Sequence, residues 1–185
     1  MKHLFIFLSL FIFSFSPALA TNHNNSDLTQ SSYADIETHD GSKDRLWAEA
    51  TSFLSSGRAV SEGHGKRIFV FTESTCPYSN KFFQEVHTDP NILKNVEIVW
   101  VPVTRDGKNF RTGDILNGSL DILKDKNKTV NVSRKQESMV YDNALFLQEK
   151  GGRLSVPSAL VLGNDGIARF HYEIDTKWLR KTMTE

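Results

Sequence analysis

The chain holds one cysteine, Cys76, in 185 residues, so no disulfide can form within it. It also lacks a charge bias: 22 basic and 22 acidic residues balance. No basic stretch is dense enough to imply a nucleic-acid partner. The run Lys124-Asp125-Lys126-Asn127-Lys128 mixes signs and reads as a solvated loop or helix end. His64, His87 and His171 are scattered, and no His/Cys grouping has metal-ligand spacing, so neither a metal site nor a cofactor is expected. Long apolar runs are missing as well. Leu4 to Phe15 falls short of the roughly 20 residues that cross a bilayer.

That run follows Lys2 and His3 and precedes Pro17-Ala18-Leu19-Ala20, a small-x-small cleavage pattern. Residues 1–20 therefore read as a signal peptide cut after Ala20, leaving 165 residues (185 minus 20) with no expected membrane span. Residues 21–43, rich in Asn, Ser, Thr and Asp, read as a flexible tether. Residues 44–66 read as an N-terminal helix and linker, and 67–185 as the main domain. Export sharpens the meaning of the lone thiol, because oxidising compartments pair or oxidise idle cysteines. A buried, inert cysteine is the alternative.

The residues around Cys76 favour reactivity. Ile68 to Phe71 is an apolar, β-branched and aromatic run that reads as a buried strand. Pro77 then opens a helical pattern with Phe82, Phe83 and Val86 on one face, and Pro suits the first helical position. Cys76 thus occupies the N-cap position. Its sulfur is expected to be exposed, facing the free N–H groups of Tyr78 and Ser79 and the positive end of the helix dipole. Both favour the nucleophilic thiolate. Glu73 is either a like charge beside the thiol or an uninvolved surface residue.

Elsewhere, Leu46, Trp47, Ala50, Phe53 and Leu54 predict a helix from Asp44 that Gly57 ends, and Arg58 to Gly65 predicts a loop. Val96 to Val103, apolar almost throughout, predicts a central strand. Residues 105–132 carry only a hint of a short helix. Ser133 to Lys150 predicts a helix with Met139, Val140, Ala144, Leu145 and Leu147 inside, ended by Gly151-Gly152. A strand over Leu154–Leu162, the turn Gly163-Asn164-Asp165-Gly166, a strand over Ile167–Tyr172 and a helix over Thr176–Thr182 complete the pattern. The order βαβ, helices, hairpin, helix predicts an α/β fold with helices on both faces of the sheet.

Two anchors resemble the thioredoxin superfamily, in particular its exported thiol–disulfide branch related to DsbG and DsbC. One is Phe69-Val70-Phe71 leading to Thr75-Cys76-Pro77-Tyr78-Ser79. The other is Asn143-Ala144-Leu145-Phe146-Leu147 with Gly151-Gly152, followed by Val156-Pro157. The resemblance implies a thioredoxin-like fold with a central mixed sheet and a helical insertion before the proline strand. It implies a cis Val156–Pro157 bond docking substrate backbone, Cys76 as nucleophile, and Pro77 and Tyr78 tuning the thiolate. It also implies a periplasmic location, with cysteine-containing exported proteins and a membrane-bound reductase as partners.

The chain departs from that branch in three ways. Ser79 stands in place of the second cysteine, Val156 in place of Thr, and no N-terminal dimerisation domain is expected. A solitary thiol can form mixed disulfides, shuffle a partner's disulfides or protect a partner's cysteine, but it holds no disulfide to donate. Ser79 could assist by donating hydrogen bonds to the thiolate. The expected function is monothiol disulfide exchange, isomerase-like or protective. The alternative is a redox-inactive binding or chaperone module of the kind associated with an envelope secretion or conjugation system. A monothiol glutaredoxin holding an iron–sulfur cluster would also use Cys-x-x-Ser, but its intracellular location conflicts with the leader.

Overall fold

The computed structural model describes residues 45–184. The expected signal peptide and the whole of the expected tether lie outside the described residues. Helix α1 (Arg45–Leu54) leads into β1 (Val60–Gly63) and β2 (Lys66–Thr72). Then come α2 (Pro77–Thr88), α3 (Ile92–Asn95), β3 (Val96–Pro102), a 3₁₀ helix (Arg111–Asn117) and α4 (Asp121–Lys124). The long α5 (Arg134–Gly151) precedes the hairpin β4 (Ser158–Leu162) and β5 (Ala168–Tyr172), and α6 (Thr176–Thr184) closes the chain. The five strands form one sheet in the order β1-β3-β2-β4-β5.

β2 is the middle strand because it is apolar on both faces. It runs parallel to β3, with Ile68 opposite Ile98, and antiparallel to β4, with Ile68 opposite Val161. Successive side chains point to opposite faces, so β2 serves two cores. Ile68 and Val70 pack with Phe82, Phe83 and Val86 of α2, Ile92 of α3, Ile122 and Leu123 of α4, and Leu179 of α6. Phe69 and Phe71 pack on the other face with Ala50 and Leu54 of α1 and with Ala144, Phe146 and Leu147 of α5. This is a thioredoxin-like fold with a mixed sheet between two helical layers.

β1 corrects the expected loop at Arg58–Gly65. Only Val60 in this stretch looks like a strand residue, and its pairing with β3, Val60 opposite Trp100, comes from backbone rather than pattern. Side chains reinforce it: Glu62 Oε1 accepts from the Trp100 indole N–H at 2.7 Å, and Glu62 Oε2 lies 3.2 Å from His87 Nε2. The turn into β2 needs glycine. Gly63 and Gly65 have φ of 81° and 109°, and a Cβ on them would strike the carbonyl oxygens of Val96 and Asn95.

α5 begins where expected, with a reciprocal capping box between Ser133 and Gln136. Its inner face is shifted from the expected one: Leu145 is exposed and Phe146 and Asn143 are buried. Asn143 explains the shift. Its Nδ2 donates to the carbonyls of Arg58 and Pro102, each at 2.9 Å, and so ties α5 to the β1 approach and to the end of β3.

Replacing Asn143 with Ala strands two carbonyls and opens a void, for an expected cost of about 2–4 kcal/mol. Urea unfolding followed by circular dichroism checks this, and an unchanged midpoint would show that the tie is dispensable.

Candidate functional site

The loop after β2 is a polar segment placed where water is scarce. Glu73 and Ser74 are buried, Thr75 is exposed, and Cys76 is buried at 2% exposure. A buried turn must find partners for its backbone, and Glu73, Ser74 and Cys76 have them here. Cys76 N–H donates to the Glu73 carbonyl at 3.0 Å, closing the turn. Ser74 N–H donates to Thr112 Oγ1 at 2.9 Å, and the Thr112 hydroxyl donates to Ser74 Oγ at 3.1 Å. The Ser74 carbonyl accepts from Asn80 Nδ2 at 2.9 Å. Glu73 N–H reaches Ser79 Oγ at 3.4 Å. The strand below is joined to its neighbour by the Val103 N–H, which donates to the Thr72 carbonyl at 3.0 Å.

Cys76 is the N-cap of α2 with extended backbone (φ −80°, ψ 116°), and Pro77 follows at the first helical position. Its carbonyl accepts the first helical bond, from Asn80 N–H at 3.1 Å. The sulfur does not behave as expected. It makes no cap bond to the helix N–H groups, and its S–H donates instead to the Val156 carbonyl with S···O at 3.4 Å. The expected exposure is corrected too. The half-buried Val156 segment crosses in front of the helix start and takes both the space and the hydrogen-bonding partner that solvent would otherwise supply.

The Val156–Pro157 bond is cis, and Pro157 is buried at the start of β4. Cys76 and Val156, 80 positions apart in the chain, therefore meet directly. Tyr78 projects away at 72% exposure, and Pro77 is exposed beside it. Ser79 is fully buried, and its oxygen serves the Glu73 backbone. Among the described residues no hydrogen bond joins Ser79 to Cys76, so the expected donation to the sulfur is not formed here.

Glu73 is not the surface residue that one of the two expectations made it. Its carboxylate is 3% exposed and forms an ion pair with Arg105 Nε, whose side chain is 48% exposed. Burying a carboxylate is costly unless it is paired and hydrogen-bonded, and Arg105 is the partner. The Glu73 hydrogen bond, followed by its charge, raises the Arg105 pKa above its ordinary value against the opposing effect of burial. The nearby Cys76 and Asp106 add to the rise.

Arg105 and Thr112 were not found by sequence reasoning. Arg105 lies just past the C-terminal end of β3, which runs parallel to β2, and residues beyond neighbouring parallel strands converge at one end of the sheet. That topological signal was available. Thr112 sits in the segment that showed no clear periodicity, and nothing in its sequence context marks it. Among the described residues no group of His, Cys, Asp and Glu could hold a metal ion, and no helix is long and apolar enough to cross a membrane.

Comparison with known proteins agrees with this architecture. The family described as thioredoxin-like domain matches residues 56–173. The catalytic domain of Proteus mirabilis ScsC superposes with a TM-score of 0.56 at 13% identity, covering 77% of this chain and 99% of that one. A periplasmic thioredoxin-like protein from Salmonella enterica serovar Typhimurium gives 0.54 at 12% identity, covering 74% and 94%. No curated protein matches the chain.

Thr112→Val keeps the shape but removes both bonds to Ser74, with an expected loss of about 1–3 kcal/mol. Amide exchange at Ser74 and Cys76 should quicken in that variant while the β2 amides stay protected. Equal quickening of both sets would mean the effect is global.

Proposed function

The chain belongs to the thioredoxin-like domain family, and on that premise we propose that it is an exported monothiol disulfide-exchange protein acting through mixed disulfides at Cys76. The observation that carries this reading is the meeting of a thiol at the N-cap position of α2 with the backbone of the Val156–Pro157 segment, S···O 3.4 Å. In this reading Cys76 loses its proton, and with it the bond to the Val156 carbonyl. That carbonyl is then available to accept an N–H from an extended partner strand. The thiolate attacks one sulfur of a partner disulfide, the new Cys76–partner bond forms, and the displaced sulfur leaves as a thiolate that takes up a proton.

Ser79 cannot perform the second attack, because a hydroxyl lacks the acidity and sulfur affinity of a thiol. Release therefore depends on a thiol from outside, either the partner's own, which gives isomerisation, or that of a membrane-bound reductase. Cys76 is the nucleophile and the N-terminus of α2 supports its thiolate. Ser79 holds the Glu73 turn, Pro77 and Tyr78 form the outer wall, and Val156 and Pro157 dock the partner. The partners are cysteine-containing exported proteins, and the compartment is the periplasm, as described for the Salmonella protein of similar fold.

The 2% exposure of Cys76 supports a second reading, a binding or chaperone module that keeps the fold without redox chemistry. Trapping separates the two. Acid-quenched cells expressing the protein should yield disulfide-linked partners that vanish with Cys76→Ser. Ser79→Cys should shorten the lifetime of those adducts at least about tenfold, since an internal thiol has a high effective concentration. It should also confer insulin reduction. Retention of full biological activity by Cys76→Ser would favour the binder.

A further inference from the structure

Arg105 spends one nitrogen inside the protein and keeps the rest of its guanidinium at the surface. Nε donates to the buried Glu73 carboxylate, while Nη1 and Nη2 meet no acceptor among the described residues. The arginine side chain is 48% exposed, its partner 3%. The Glu73 that holds it is bonded through its own carbonyl to the Cys76 N–H at 3.0 Å, and Cys76 is among the groups whose charge acts on Arg105, so the guanidinium is within electrostatic reach of the sulfur. Asp106, beside Arg105 in the chain, turns Oδ1 to the Thr104 hydroxyl and to the N–H groups of Lys108 and Asn109. A guanidinium with two parallel donors unfilled matches a carboxylate in a way an ammonium cannot.

We propose that Arg105 selects the sulfur partner, favouring disulfides that carry a carboxylate close to the reacting sulfur. The inference rests on the exchange reading of Cys76. In the step concerned, the partner's carboxylate docks on Nη1 and Nη2 while the Cys76 thiolate attacks the adjacent sulfur. The partner's S–S bond breaks, the Cys76–S bond forms, and the expelled thiolate takes up a proton from water. No further oxidant or reductant is needed. Arg105 touches the partner outside the reacting atoms and acts as a specificity-determining residue. Its carboxylate ligand could belong to a small acidic disulfide or to an Asp or Glu beside a protein cysteine.

The test compares the rate at which Cys76 reacts with dithiobis(nitrobenzoate), which is anionic, and with dithiodipyridine, which is neutral. The ratio of the two rates cancels whatever a substitution does to the thiol itself. Arg105→Gln should lower the anionic-to-neutral ratio by about tenfold, and salt should lower the wild-type ratio in the same direction. Arg105→Gln leaves Glu73 buried without a partner, so the double variant Glu73→Gln/Arg105→Gln, which has no orphaned charge, is measured beside it and should show the same fall. A matched pair of peptide disulfides with Asp or Asn next to the cysteine assigns the source. A preference for the Asp peptide points to protein partners, and a preference confined to the small reagent points to low-molecular-weight disulfides. A ratio that both variants leave within about twofold of wild type overturns the inference while the exchange reading stands. Failure of Cys76 to react even with dithiodipyridine overturns both.

Discussion

Everything at this site depends on satisfying a polar turn inside a closed end of the sheet. Residues 73–76 leave the middle strand with a carboxylate, a hydroxyl and several backbone groups withdrawn from solvent. An unsatisfied buried polar group costs about 1–3 kcal/mol and an unpaired charge more, so the turn persists only while its partners arrive together. They come from separate places: Arg105 and Val103 after or at the end of β3, Thr112 from the 3₁₀ helix, Ser79 and Asn80 from the first turn of α2. The helical insertion between β3 and α5 is thereby part of the site's construction, since it supplies the acceptor for the Ser74 amide.

The same convergence sets the chemistry. A sulfur at the start of a helix would ordinarily look outward to the N–H groups there. Here the Val156 carbonyl accepts a hydrogen bond from the S–H, so the thiol is both buried and hydrogen-bonded. Tyr78 is exposed and Arg105 half-exposed near this thiol.

Much of this was legible in the chain. The alternation of Ile68, Phe69, Val70 and Phe71 between two cores follows from a run apolar at every position, which only a strand covered on both faces can bury. The Pro77 start of α2, the capping box of α5 and the turn at Gly163–Gly166 are local signals, and local signals survive folding because they involve neighbours only. β1 escaped notice because an edge strand needs little side-chain pattern when its partner supplies the hydrogen bonds. The inner face of α5 was misjudged at Leu145 because a buried Asn143 with two carbonyls to serve rotates the helix away from the most apolar choice.

The residue order alone determined that one cysteine stands at the N-cap position of one helix, that the chain holds no second cysteine, and that a two-faced sheet lies beside it. These depend on composition and short-range periodicity. Only the assembled tertiary structure decided that this thiol is covered, that its S–H donates to the Val156 carbonyl, and that the carboxylate at Glu73 is held by Arg105. Those outcomes follow from contacts between segments 32 and 80 positions apart, and such contacts arise from sheet order and helix placement rather than from any neighbouring residue.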